Sequence, residues 1–343
     1  MTPPRTRMHR EIREIPAAVE RLLHHGAADI TAAAAALRDR APPFLISVAR
    51  GSSDHVATYM QYASELLLGL PVASVGPSVA SIYRAPLRLS GAGCIAVSQS
   101  GQSPDIVAMA RAARDSGALS LAVTNDPTAP LAHACDRTLP IHAGPELSVA
   151  ATKTFVNSAV AALWLLAEWT DDSDLRRAIF ALPQALEAAC QFDWPDLRVA
   201  LEGHSSMFTL GRGPGIAISA EAALKFKETC RIHAESYSSA EVLHGPVTIV
   251  EQGFPTLVLA AADAAEPALV EVADQIAAKG AQVFITSTKA QTARCLPCAR
   301  TLHPLCDPLA LIVSFYAMVE CVARTRGIDP DTPRHLKKVT QTR

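Results

Sequence analysis

Three pairs of short signatures recur at a spacing of about 162 residues, and this doubling restricts the folds open to the chain more than any other feature. Arg50-Gly51 after one apolar run corresponds to Arg212-Gly213 after another. Cys94-Ile95-Ala96-Val97 corresponds to Thr256-Leu257-Val258-Leu259, and Gly117-Ala118 before a run corresponds to Gly280-Ala281. Apolar runs at 44–49, 71–75, 94–98, 119–124, 207–210, 256–260 and 282–287 alternate with helical patterns. That alternation specifies a parallel sheet with helices on both faces. The expected architecture is α/β: two tandem, doubly wound, flavodoxin-like parallel-sheet subdomains. The expected organisation is a helical arm (1–40), a first subdomain (41–170), a connecting helix (171–200), a second subdomain (201–327) and a C-terminal tail (328–343).

With 343 residues and 49% hydrophobic side chains, the chain has material for two packed cores. A net charge of −2 with scattered Lys and Arg excludes a nucleic-acid or anionic-membrane footprint. The longest apolar stretch, 155–169, contains Asn157, Ser158 and Glu168 and is too short to span a bilayer, so it reads as a buried helix. The opening Met1-Thr2-Pro3-Pro4-Arg5 carries no apolar signal core, and a cytoplasmic location is expected. Eight cysteines then read as mostly buried free thiols. Cys295 and Cys298 have metal or redox spacing but no second pair nearby, and are taken as incidental.

The stretch Val97-Ser98-Gln99-Ser100-Gly101-Gln102-Ser103 lies between an apolar run and a helical pattern from Asp105 to Ala113. At a strand-to-helix junction the first helical N–H groups lack intrahelical partners and the macrodipole favours negative charge. Three serines add donors and the glycine permits close approach, so a phosphate ester suits the turn. The competing reading is an ordinary turn in which one serine caps the helix. The matching turn of the second copy, Ala260-Ala261-Ala262-Asp263, has no hydroxyl and adds a negative charge. Capping is needed equally in both copies, so the asymmetry favours a ligand.

A second region runs from Glu221 to Pro246, after the Gly211-Arg212-Gly213-Pro214-Gly215 turn, where open α/β sheets place ligands. Glu221, Lys225 and Glu228, spaced by four and three, share one helical face. Taken alone, they also fit a solvated face with ordinary ion pairs. His244 precedes Gly245-Pro246 in a loop, and by itself reads equally as a capping or surface histidine. The tail Pro333-Arg334-His335-Leu336-Lys337-Lys338-Val339-Thr340 reads either as a frayed basic end or as a third candidate.

Together these pieces resemble the sugar isomerase (SIS) family. The resemblance rests on the doubled α/β unit, S-Q-S-G-x-S at 98–103, G-P-E-x-S-V-A-A-T-K at 144–153, the A-L-K-x-K-E helix, L-H-G-P and the P-R-x-L-x-K-V-T tail. The likeness is strongest to the isomerase half of glucosamine-6-phosphate synthase and to the stand-alone SIS-type glucosamine-6-phosphate deaminases. It implies that Ser98, Gln99, Ser100 and Ser103 bind a sugar phosphate, with Ser52 and Ser53 lining the same pocket and Val149 and Glu221 also meeting substrate. It implies that Glu228 is the base moving a proton between adjacent sugar carbons, work to which a carboxylate is suited. His244 is implied to open the sugar ring from a neighbouring subunit, so a homodimer is expected. Lys338 matches a tail lysine able to form a Schiff base with a ketose, and Lys225 a lysine near the substrate oxygens.

Departures from the synthase pattern direct the expected reaction. The synthase carries a glutaminase domain that begins with a nucleophilic cysteine after the initiator methionine. Here residue 2 is Thr2, and no ammonia source is expected. Val149-Ala150-Ala151-Thr152-Lys153 in place of V-A-S-T-K, and the opening Met8-x-x-Glu11-Ile12-x-Glu14-x-Pro16, look like the deaminase branch. The expectation is therefore conversion of glucosamine 6-phosphate and water to fructose 6-phosphate and ammonia, with no metal or organic cofactor. The alternatives are another amino-sugar 6-phosphate, synthase-like isomerisation with ammonia supplied from elsewhere, and a non-catalytic phosphosugar sensor. A sensor of the transcription-regulator kind needs a DNA-binding headpiece, and the residues before Phe44 carry no convincing helix-turn-helix pattern.

Overall fold

The computed structural model describes residues 6–338, so Val339 and Thr340 of the tail motif lie outside the described residues. Two compact units are present. The first contains residues 17–146, 153–180 and 336–338, and the second residues 6–16, 147–152 and 181–335.

The first unit is built on β1 (Leu45–Val48), β2 (Val72–Ser74), β3 (Gly93–Val97), β4 (Leu119–Thr124) and β5 (Arg137–Pro140). All pair in parallel in the order β2-β1-β3-β4-β5. Every residue of β1 and β3 is buried. Helices cover both sheet faces, so these strands read as continuous apolar runs rather than alternating ones. One face packs Ile46, Val48, Cys94 and Ala96 against Ile106, Met109 and Ala110 of the helix Pro104–Asp115. The helix Lys153–Thr170 is buried over most of its length, as its composition predicts. Its Asn157 amide donates to the carbonyls of Ala18 and Ile141, both at 2.8 Å, which offsets the cost of enclosing a polar group.

The second unit contains β6 (Ser206–Gly211), β7 (His233–Ser238), β8 (Pro255–Val258), β9 (Gln282–Ile285) and β10 (Arg294–Cys295). Read from β7, the parallel order is β7-β6-β8-β9-β10, the same winding as in the first unit. Gly211 ends β6 because a Cβ there would stand 2.3 Å from the Gly215 carbonyl, so only glycine admits the following helix so close to the strand end. The helix Asp307–Thr325 is long and apolar enough to cross a bilayer, yet most of its residues are buried inside this unit.

All seven runs read as strands form strands. Three more appear: β5, β7 and the two-residue β10. β5 and β10 close one edge of their respective sheets and β7 the other edge of its own. Edge strands bury less apolar surface, and their polar sequences, RTLP, HAESYS and RC, follow from that.

Candidate functional site

In the first unit β1 and β3 are neighbours, with Val48 opposite Ala96. The turns at 50–53 and 98–103 therefore leave the carboxyl edge of the sheet side by side, the position at which open α/β sheets hold ligands. Ser98 is buried, and its hydroxyl accepts from the Gly101 N–H at 3.2 Å. The Ser100 hydroxyl accepts from the Gln102 N–H at 3.3 Å. The Gln99 carbonyl takes the Asn125 N–H at 3.1 Å and the Thr124 hydroxyl at 3.3 Å, fastening the turn to the end of β4. Gly101 has φ +61°, and a Cβ would lie 2.6 Å from that of Ala129, so glycine is required on both counts.

Ser103 occupies the N-cap position of the helix Pro104–Asp115 but makes no side-chain cap bond. The buried Asp105 instead accepts the Ile106 N–H at 2.9 Å. A capping role thus does not account for this hydroxyl. Arg50, which the sequence marks only as part of the repeat, places its Nε and Nη2 at 3.2 and 3.1 Å from Asp105 Oδ2, tying the two turns together. Ser52 and Ser53 open the helix Ser52–Leu68, with the Ser53 N–H bonded to the Arg50 carbonyl.

The corresponding turn of the second unit is filled by the protein's own charges. Its Ala262 N–H donates to Asp307 Oδ2 at 2.9 Å and its Ala265 N–H to Asp263 Oδ1 at 2.8 Å. Ala260 N–H donates to the Thr286 hydroxyl at 2.8 Å, and Arg300 Nη1 pairs with Asp307 at 3.1 Å. Two internal carboxylates occupy donors that an anion needs, which explains physically why one turn is rich in hydroxyls and the other is not.

Glu221, Lys225 and Glu228 lie together in the second unit. The sequence predicts one continuous helix; the structure has an α-helix over Gly215–Lys225 followed by a π-turn over Phe226–Cys230. The Thr229 hydroxyl donates to the Lys225 carbonyl at 2.7 Å, competing with the regular backbone ladder at that point. Arg231, at φ 54°, ends the turn. Lys225 Nζ is 2.6 Å from Glu228 Oε2 and 3.2 Å from Glu221 Oε1. The Lys225 and Glu221 side chains are 1% and 0% exposed, whereas that of Glu228 is 20% exposed. Burial alone pulls the Lys225 ammonium down, but the charges of Glu221 and Glu228 outweigh it and hold the group above its ordinary value. Glu228 is the accessible member of the triad, and its Oε1 has no hydrogen-bond partner among the described residues. The solvated-face alternative does not describe Glu221 or Lys225, which are enclosed.

Tyr316 was missed. Its buried hydroxyl donates to Glu221 Oε1 at 3.0 Å. The available signal was a phenol inside an apolar helical run, because such a group must find a polar partner.

His244 ends the 3₁₀ turn Glu241–His244 and is exposed, with no bond to Glu228 among the described residues. Val149 lies in a segment held by the buried Glu11, which accepts the Ser148 N–H, and by the Val149 N–H on the Asp331 carbonyl at 3.4 Å. Asp331 in turn accepts the N–H groups of Arg7 and Met8 at 2.7 and 2.8 Å, at the start of the helix Arg7–Arg13. Lys338 donates to Glu146 Oε2 at 2.7 Å within the first unit. Glu146 is fully buried at its side chain and also accepts from the Thr154 N–H at 3.1 Å and hydroxyl at 2.7 Å. Among the described residues no group of three or more His, Cys, Asp or Glu is placed to hold a metal ion.

The SIS domain family model matches residues 44–168. A crystal structure of a Silicibacter pomeroyi DSS-3 protein, classed as a phosphosugar isomerase, shares 65% identity with a TM-score of 0.93, covering 95% of this chain and 100% of that one. A glutamine–fructose-6-phosphate aminotransferase (isomerizing) of Zymomonas mobilis is 31% identical over 309 residues, 85% of this chain and 51% of the relative. The chain spans about half the length of the curated relatives it matches. A glucosamine-6-phosphate deaminase of Thermotoga maritima shares the fold, with a TM-score of 0.82 at 18% identity over 98% of this chain and all of that one.

Proposed function

The chain belongs to the SIS-domain family, and on that premise we propose that it is a phosphosugar enzyme converting glucosamine 6-phosphate and water to fructose 6-phosphate and ammonia. The observation that carries the reading is Glu228: a partly exposed carboxylate with one oxygen gripped by a buried ammonium and the other unengaged among the described residues. In this reading the turn Ser98–Ser103, with Ser52 and Ser53, holds the phosphate on hydroxyl and N–H donors. His244, contributed across a homodimer, moves the ring proton to open the pyranose. Glu228 then takes the proton from C2, exchanges it with solvent at its exposed carboxyl, and delivers a proton to C1, leaving C1 as a hydroxymethyl group and C2 as an imine. Water adds to that imine, and ammonia leaves as the ketone forms. Lys225 steadies the carboxylate and the developing charge on the substrate oxygens, and Lys338 meets the ketose carbonyl. The amine on C2 supplies the imine–enamine path, so no organic cofactor is invoked.

A second reading is favoured by the names of the curated relatives, which are isomerising aminotransferases. It is isomerisation of a keto-sugar phosphate with ammonia supplied separately. A panel of amino-sugar and neutral-sugar 6-phosphates, scored for ammonia and for ketose formation, separates the two. Ammonia from glucosamine 6-phosphate supports the deaminase. Isomerisation without ammonia release supports the second reading, and absence of any turnover overturns both.

A further inference from the structure

Tyr316 is linked to Glu228 through Glu221 and Lys225. Its hydroxyl lies 3.0 Å from Glu221 Oε1, the same oxygen that Lys225 Nζ approaches at 3.2 Å. Lys225 makes its shorter contact, 2.6 Å, with Glu228. All three supporting groups are enclosed: Tyr316, Glu221 and Lys225 are fully buried. A buried carboxylate draws in whatever donors it can reach, because an unsatisfied lone pair in a water-free setting costs more than an ordinary hydrogen bond returns. With the phenol on Oε1, Glu221 has a second donor, and the ammonium is left to lean on Glu228. Without the phenol, the same oxygen competes for the ammonium at Glu228's expense.

We infer that Tyr316 is a positioning residue: by donating to Glu221 it sets how the Lys225 ammonium is divided between Glu221 and Glu228, and so fixes the orientation of Glu228. The inference rests on the proposed role of Glu228 for its kinetic consequence, but not for its geometric one. Glu228 stands on the π-turn that follows the α-helix carrying Glu221 and Lys225, so the pair it forms with Lys225 bridges two kinds of helical turn.

The test pairs kinetics with structure. Tyr316→Phe is expected to lower kcat for the phosphosugar about tenfold with KM changed less than about twofold, because phosphate binding does not involve the chain of groups through Glu221. In a Glu221→Gln background the same substitution is expected to add little further loss, because the charge that competes for Lys225 is already gone. A crystal structure of Tyr316→Phe is expected to show Lys225 Nζ withdrawn from Glu228 Oε2 beyond about 3.5 Å. Independent, multiplicative losses in the two backgrounds, or an unmoved Lys225, overturn the inference. Should the wild-type protein turn over no phosphosugar, the functional reading fails while the crystallographic arm still decides this one. If Tyr316→Phe does not fold, 3-fluorotyrosine at position 316 keeps the shape and strengthens the donor. It is expected to hold Lys225 on Glu228 and keep kcat at or above the wild-type value, and a tenfold fall with Lys225 displaced overturns the inference.

Discussion

Replacing Lys225 by methionine exposes the energetics of the buried triad. The variant removes the ammonium that lies 3.2 Å from Glu221 and 2.6 Å from Glu228, leaving a carboxylate at 0% side-chain exposure without its cation. Breaking a buried ion pair by deleting one partner costs about 3–5 kcal/mol. For a unit of this size each kcal/mol moves the unfolding midpoint by about 2–4 °C, so the midpoint falls by roughly 6–20 °C at pH 8. The pH dependence distinguishes a charge effect from a packing effect. Lys225 is held above its ordinary value, so its stabilising contribution is complete below the unfolded-state value of about 10.4 and is lost only as pH rises through the higher folded-state one. Between pH 5 and 9 the wild-type contribution is therefore constant. In the variant, protonation relieves the abandoned carboxylate, and the deficit shrinks as pH falls towards 5. Differential scanning calorimetry of both proteins at pH 5, 6.5 and 8 measures this. A deficit below about 2 °C at pH 8, or an equal deficit at pH 5 and pH 8, refutes the reasoning.

Ser103→Ala is expected to leave the unfolding midpoint nearly unchanged, because the hydroxyl makes no cap bond, while weakening phosphosugar affinity about tenfold; titration calorimetry and thermal melts check both. Glu146→Gln weakens the charge-assisted contact to Lys338 and is expected to speed tryptic cleavage at Lys338 severalfold and to lower turnover about tenfold. Native thiol titration with an aromatic disulfide is expected to find Cys295 fastest. Burial pushes the thiols of Cys135, Cys190, Cys230 and Cys306 up to about 12 and that of Cys94 higher still, so these five react only on unfolding.

Central strands were legible because burial on both faces makes them uninterrupted apolar runs, as in Leu45–Val48 and Gly93–Val97. Edge strands were not, since β7 reads HAESYS and holds its place by pairing with β6 rather than by its own burial. The turn at 98–103 was visible as a string of hydroxyls, but the reason its counterpart lacks them was not. That reason lies in Asp307, 45 residues from the Ala262 N–H it accepts. The spacing of Glu221, Lys225 and Glu228 placed them on one face without revealing that the last stands on a π-turn, within which the Thr229 hydroxyl bonds the Lys225 carbonyl. Tyr316 is 95 residues from Glu221, and Lys338 is 192 from Glu146; partners so distant in sequence carry no periodic signal.

The most direct measurement of the central claim is deuterium incorporation at carbon from D2O into glucosamine 6-phosphate and its ketose product, comparing the wild-type protein with Glu228→Gln. The account predicts incorporation in the wild type and a loss of about a hundred- to ten-thousand-fold in the variant, with phosphosugar binding retained. Incorporation persisting in Glu228→Gln, or binding lost together with exchange, contradicts it.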